Sequence, residues 1–371
     1  MLKNTQVLLL TMMLSAGCAQ TPDVVRSETS LFVNLPSYCP TPDAMAIAQN
    51  GDLVVTCPNF ADQSQKAWII RIDQDRNVRR WVQVPPMDKT GVACPMGIAF
   101  GPAEEVYLVD NQSWMGTPEG QFQGRILRLV IRNDRIEQLT EVATGMEHPN
   151  GIRYHNGHLY VTQSLMTRVQ DPSGLLVSGL YRFRADDVNV WVNNTLDDAN
   201  LVATFLTENL HCQYGIDGLV FDSRGRLFVG NFGDGKLHKL VFDRVGNVVS
   251  NTVFAQTDFD YTLDPEQPGF LEKATAAKMR TVDGICIDGK DNIYVADFSN
   301  NAVAKVTPQG KIIVLAQNGD TDGRNGELDQ PAEPIVWNGM LVVTNFDIVT
   351  GPDKVNTDHD ELFTISKIKL D

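Results

Sequence analysis

One pattern recurs six times along the chain. An acidic or amide residue in five of the six copies, usually followed by glycine, leads into a short apolar strand, a tight polar turn and a second apolar strand. The fullest copy spans residues 283–301: Asp283-Gly284, then Ile285-Cys286-Ile287, a turn at Asp288-Gly289-Lys290-Asp291-Asn292, and Ile293-Tyr294-Val295-Ala296. The same unit begins at Asp43, Met96, Asn150, Asp217 and Glu333, so successive starts fall 50 to 67 residues apart. A unit made of strands and turns at this spacing is a propeller blade. A single blade cannot bury both its faces and must stack on its neighbours.

Each unit continues into further strands bounded by turn residues. Residues 67–72 and 78–84 form one such hairpin, 125–131 and 136–143 a second, 236–242 and 248–255 a third, and 302–306 and 311–316 a fourth. Four-stranded antiparallel blades follow. The sixth unit has only one further strand, residues 361–369, while residues 30–35 form an orphan strand ahead of the first unit. The N-terminal strand is therefore expected to complete blade six and close the ring, which removes exposed sheet edges. The expected fold is all-β: a six-bladed β-propeller over residues 30–371.

The 371 residues are 43% hydrophobic, enough for one large core, and six stacking units argue for one domain rather than the two that length alone suggests. The formal net charge of -15 excludes a nucleic-acid-binding face, which must be basic. No nucleophile elbow, dinucleotide fingerprint, phosphate loop or Cys/His zinc spacing occurs. Lys3 precedes an apolar run over residues 7–14 that is too short to span a bilayer. Ser15-Ala16-Gly17-Cys18 then resembles a bacterial lipoprotein signal, residues 1–17, with cleavage before Cys18 and lipid on its sulfur. Ala19 directs that expectation to the outer membrane, with residues 18–29 as a tether and the lipid as the only membrane contact. The other reading is an ordinary secretory signal cut after Ala19; both place the chain outside the cytoplasm. In such a compartment Cys39 and Cys94, which both precede a unit start in neighbouring blades, are one pair that a disulfide could join. Spacing alone does not fix the pairing.

The chemistry is expected where the inner strands begin. In a propeller these strands line the central channel, so Asp43, Met96, Asn150, Asp217, Asp283 and Glu333 gather at one mouth. Crowded carboxylates must protonate, pair or bind a cation. None of the six positions is Lys or Arg. Carboxylates with an amide oxygen suit a hard divalent ion, Ca²⁺ above all. The competing view is that Asp-Gly and Asn-Gly are ordinary turn residues. The acidic stretches 320–322 and 358–361 read as solvated loops, because Arg324 stands where a twelve-residue calcium loop needs Asp or Asn.

His148-Pro149-Asn150-Gly151-Ile152 and Ile216-Asp217-Gly218-Leu219 resemble the motifs of the senescence marker protein/gluconolactonase family of six-bladed propellers. Residues 292–303 and 319–331 resemble NHL repeats, a related propeller class; together the resemblance covers about residues 38–350. It implies hydrolysis of a lactone or similar ester with a divalent metal, usually calcium, held by Asp43, Asn150 and Asp217. Asp43 stands where the family has Glu, and Met96 offers no hard oxygen. The resemblance further implies that Asp217, Asp283 or Glu333 activates water, with His148 as an alternative base. His148 and Trp114, the latter in the long loop 111–124, are candidate substrate contacts. The rival expectation is a non-catalytic propeller that binds a protein or envelope ligand on its loop face; a lyase or oxidoreductase on a related propeller stands third.

Overall fold

A computed structural model describes residues 27–114, 116–348 and 350–370. Cys18 and the expected signal over residues 1–17 lie outside the described residues. Six four-stranded antiparallel sheets, one of them extended by a further strand, are arranged as the blades of a propeller. Blade one runs from Met45–Ile47 out to Val78–Gln83, and blade five from Ile285–Ile287 out to Ile312–Gln317. The second strand of every blade is almost wholly buried, whereas the outermost strands mix buried residues with partly or fully exposed ones, as a half-solvated sheet requires. The only α-helix among the described residues is Phe270–Ala276, in the long connection between blades four and five.

The ring closes as the sequence implies. Thr29–Asn34 pairs antiparallel with Thr364–Lys369 and becomes the outermost strand of blade six. Blade two gains a fifth strand, because Val190–Trp191 in an insertion of blade three folds back parallel to Arg135–Met146.

The disulfide differs from the expected one. Cys39 is bonded to Cys57, with their Cα atoms 5.2 Å apart, while Cys94 is free and buried. Cys39 lies in the segment entering blade one, and Cys57 ends the second strand of that same blade, Leu53–Cys57. The bond therefore staples blade one to its own entering segment rather than to blade two. The acidic loops are exposed at Asp320, Asp358 and Glu361, as expected of solvated segments, but they also touch one another. Asp320 accepts hydrogen bonds from the Thr357 amide (3.2 Å) and hydroxyl (2.6 Å), so residues 319–330 and 347–360 pack on one another.

Candidate functional site

The inner strands approach each other backbone to backbone around the channel, and this explains the glycine of the repeat. A Cβ on Gly97 would stand 2.5 Å from the Asn150 carbonyl oxygen, one on Gly151 2.7 Å from that of Asp217, and one on Gly218 2.6 Å from that of Asp283. Gly284 meets the Ala332 carbonyl at 2.6 Å in the same way. The glycine serves contact between blades rather than a turn. Second-strand threonines reinforce the contact. Thr162 Oγ1 accepts from the Gly151 amide (2.8 Å) and donates to the Asp217 carbonyl (2.6 Å). Thr344 does the same between the Glu333 amide (3.0 Å) and the Asp43 carbonyl (2.7 Å).

Where the inner strands begin, pairing is interrupted. The register slips between Pro95 and Ile98, Pro149 and Ile152, Ile216 and Leu219, and Pro331 and Pro334. Such irregularities re-aim side chains, and the slipped segments contain Met96, Asn150, Asp217 and Glu333. Asp43, Met96, Asn150, Asp217 and Asp283 all line one cavity of about 560 Å³ at the channel mouth. Glu333 does not line it. It lines a second cavity of about 320 Å³, with Arg153 and Cys286, and its Oε1 is 2.6 Å from Arg153 Nη2. Arg153 projects from blade three, two positions past the Asn150-Gly151 pair, and gives Glu333 a cation that the six ring positions lack.

Burial dominates the electrostatics of the mouth. The Asp43 carboxyl is pushed up to about 8, first by burial and then by Glu333. Burial and the Asp43 charge hold Asp217 well above the usual carboxylate range. Asp283, half-buried at the cavity wall, is raised by loss of water and by Asp217. Asn150 Nδ2 donates to Asp217 Oδ2 (2.6 Å) and to the Tyr214 hydroxyl (3.0 Å), so its amide oxygen is not committed to either bond. His148 Nε2 lies 2.9 Å from the same hydroxyl, and its buried Nδ1 has no partner. Burial lowers the His148 pKa to about 4, so the ring is neutral near pH 7. His148, Tyr214, Asn150 and Asp217 thus form one continuous polar chain.

The donor set fits a divalent cation. Buried Asp43 and Asp217 and half-buried Asp283 face open space, and Lys354, which lines the same cavity, is engaged by Asp353 at 2.6 Å. The oxygens are nevertheless spread around the mouth: no three of the ring carboxylates come within 4.8 Å of one another. A cation would therefore take Asp43, Asn150 and Asp217 together with water.

Above the oxygens stands a collar of aromatic rings that the sequence reading missed apart from Trp114. Trp114 stacks on Phe60 at 4.0 Å, and Phe60 meets Phe346 at 6.0 Å. The series continues through Phe298 (6.0 Å), Phe232 (5.7 Å) and Tyr214 (5.3 Å) to His148 (5.3 Å). The signal was present: Asn59-Phe60, Asn231-Phe232, Asp297-Phe298 and Asn345-Phe346 each place Phe just past a second strand. Polar residues that end second strands hold incoming backbone. Asp110 accepts from the Cys94 amide (2.7 Å), Gln163 from that of Glu147 (2.8 Å) and Asp297 from that of Thr281 (2.9 Å).

Solved structures of this fold carry varied chemistries. A luciferin-regenerating enzyme matches with a TM-score of 0.59 and 12% identity, over 93% of this chain and 95% of that one. A gluconolactonase from Xanthomonas campestris matches at 0.54 and 12%, over 95% and 99%. A PQQ-bound aldose sugar dehydrogenase from Streptomyces coelicolor matches at 0.53 and 15%, over 93% and 99%. No family model matches the chain, and no curated protein is similar to it in sequence. The chain has the fold of the gluconolactonase-like six-bladed propellers.

Proposed function

We propose that the protein is a metal-dependent hydrolase of lactones or related esters, working outside the cytoplasm. The observation that carries this reading is the set of buried Asp43, Asn150 and Asp217 and half-buried Asp283 facing one cavity with no cationic side chain committed to it. Asp43, Asn150 and Asp217 would hold the ion, with Ca²⁺ favoured by all-oxygen donors. Such an ion supplies a Lewis acid for the ester carbonyl. Asn150 fixes the Asp217 carboxylate through its amide nitrogen, and Tyr214 with neutral His148 fixes Asn150 in turn. Asp283 keeps contact with the cavity, and its raised carboxyl makes it the stronger base once ionised, which suits it to take a proton from water. Glu333 is left out of the chemistry, because Arg153 engages it in the second cavity. The aromatic collar, Trp114 included, favours a substrate with an apolar or aromatic body over a free sugar lactone. The Cys39–Cys57 disulfide supports an oxidising compartment, consistent with lipid attachment at Cys18 and the outer-membrane site proposed for the chain.

The test is proton release, followed in a pH-stat, from a panel of aliphatic, aromatic and sugar lactones with the calcium-loaded full chain. Turnover of an apolar lactone is expected, with a loss of 100-fold or more in Asp217→Asn that still melts cooperatively. Absence of turnover across the panel, with metal bound, would overturn the reading.

A further inference from the structure

A second group of acids lies away from the channel ring, where residues 319–330 meet residues 347–360. Asp329, Asp347 and Asp360 present oxygens that all lie within 4.8 Å of one another, tighter than any trio in the channel ring. Asp329 and Asp347 are 2% and 3% exposed, and Asp360 is half-buried. Asp329 Oδ1 is buried without a hydrogen-bond partner. A buried, unpartnered carboxylate oxygen beside two other carboxylates is a strongly unfavourable arrangement unless a cation or a proton joins it. The neighbouring basic groups leave Asp329 without a cation. Arg324 turns to Asp322 (3.2 Å), and His359 stands against Asp347 (3.3 Å), away from the unpartnered oxygen of Asp329 in the hydrogen-bond network. Asn356, 1% exposed, donates Nδ2 to Asp347 Oδ1 (3.2 Å), and its own Oδ1 is a further buried oxygen without a partner.

We propose that Asp329, Asp347 and Asp360 form a second divalent-cation site, which takes a hard ion of the Ca²⁺ class and fastens the 347–360 loop to the body of the propeller. Carboxylates, loop oxygens and water together match the six to eight oxygens that Ca²⁺ takes, and the absence of His or Cys donors in the trio disfavours softer metals. The charge around the trio agrees with this assignment. Burial, then Asp347, Asp360, Asp320 and Asp322, push the Asp329 carboxyl up to about 9, as expected for a carboxylate crowded by others. The consequence reaches the channel. Asp347 and Asp360 bracket a loop whose Thr350, Asp353 and Lys354 line the cavity of about 560 Å³. An ion at the two ends of that loop sets the position of one wall of the candidate active site. The site uses none of the ring residues and stands independently of the hydrolase reading.

The experiment is a calorimetric titration of calcium chloride into EDTA-stripped full chain, together with hydrogen exchange of residues 347–360 with and without calcium. The wild type, Asp360→Asn, Asp217→Asn and the double variant are compared. Half-buried Asp360 can become Asn without a change of volume, and cooperative melting checks its fold. The expected result is that Asp360→Asn loses one equivalent of calcium and that calcium slows loop exchange in wild type and in Asp217→Asn, but not in Asp360→Asn. Should Asp217→Asn bind as much calcium as wild type while Asp360→Asn loses one equivalent, the second site stands and the channel site falls. Unchanged stoichiometry in Asp360→Asn, or loop exchange indifferent to calcium in every variant, overturns the inference.

Discussion

Replacing Gly218 by Ala isolates the contact on which the channel mouth is built. The new Cβ would stand 2.6 Å from the Asp283 carbonyl oxygen, 2.7 Å from the Ile285 amide nitrogen and 3.0 Å from Gly284 Cα. All three are backbone atoms of the next blade, so no side chain can swing aside. Restoring ordinary contact requires the inner strands of blades four and five to part by roughly 0.8 Å. Overpacking of this kind costs about 1–3 kcal/mol, and a rigid backbone neighbour places Gly218→Ala at the upper end. For a chain of 371 residues, an unfolding entropy of roughly 2.1 cal/mol/K per residue converts about 3 kcal/mol into a fall of roughly 4 °C in Tm. The control is Gly289→Ala in the turn of the next blade, where a Cβ meets nothing within 4 Å. That change should leave Tm unchanged or raise it slightly, since Ala restricts the unfolded chain. Thermal melts followed by circular dichroism read both variants. Because Asp217 and Asp283 flank the strained contact, calcium affinity should fall in Gly218→Ala and not in Gly289→Ala. A Gly218→Ala protein melting within a degree of wild type would refute the backbone-contact explanation of the repeat.

Two further outcomes follow from the described geometry. Cys57→Ser opens a disulfide whose cysteines are separated by 18 residues; the chain-entropy account assigns such a loop about 3 kcal/mol, so Tm should fall by roughly 4 °C, whereas Cys94→Ser should leave the effect of reductant on Tm intact. The metal-free protein should also lose stability as pH rises from 6 to 8.5. The folded Asp43 carboxyl is raised to about 8 against an ordinary value of 3.8, so its contribution is fully present below about pH 4 and disappears as pH passes 8. Melts in EDTA should show the decline and calcium should flatten it; a Tm that is flat in EDTA would contradict the assignment.

The architecture was legible because it is written in repeated, local signals. Six unit starts, short alternating strands and an orphan strand at Ser30 left a closed ring as the arrangement that removes every edge. Asn150 and Asp217 were legible for the same reason, since their register in the repeat places them at the mouth. Features that depend on which blade faces which were harder to read. The glycine beside each ring residue reads as a turn former in isolation, and only stacked blades show that Gly218 admits the Asp283 carbonyl. Arg153 is an unremarked residue inside a strand until curvature brings it to Glu333, 180 positions away. Cys39 and Cys94 both precede a unit start, which suggested a pair, yet the fold bonds Cys39 to Cys57 at the end of a strand in its own blade. The acidic loops 320–322 and 358–361 were judged singly, and the partner that matters, Asp329, lay in neither. The aromatic collar was visible as Phe following Asn or Asp at four strand ends, but its meaning depends on those strands ending around one cavity.

The central claim is that the channel mouth needs a cation. Its most direct test is calorimetric titration of calcium into the Asp360→Asn full chain near pH 7, in two buffers of different ionisation enthalpy. One binding event is predicted, with protons released as the raised carboxyls of Asp43 and Asp217 ionise, and with the event abolished when Asp217→Asn is added. No binding by folded Asp360→Asn protein, or binding that survives Asp217→Asn unchanged, would contradict it.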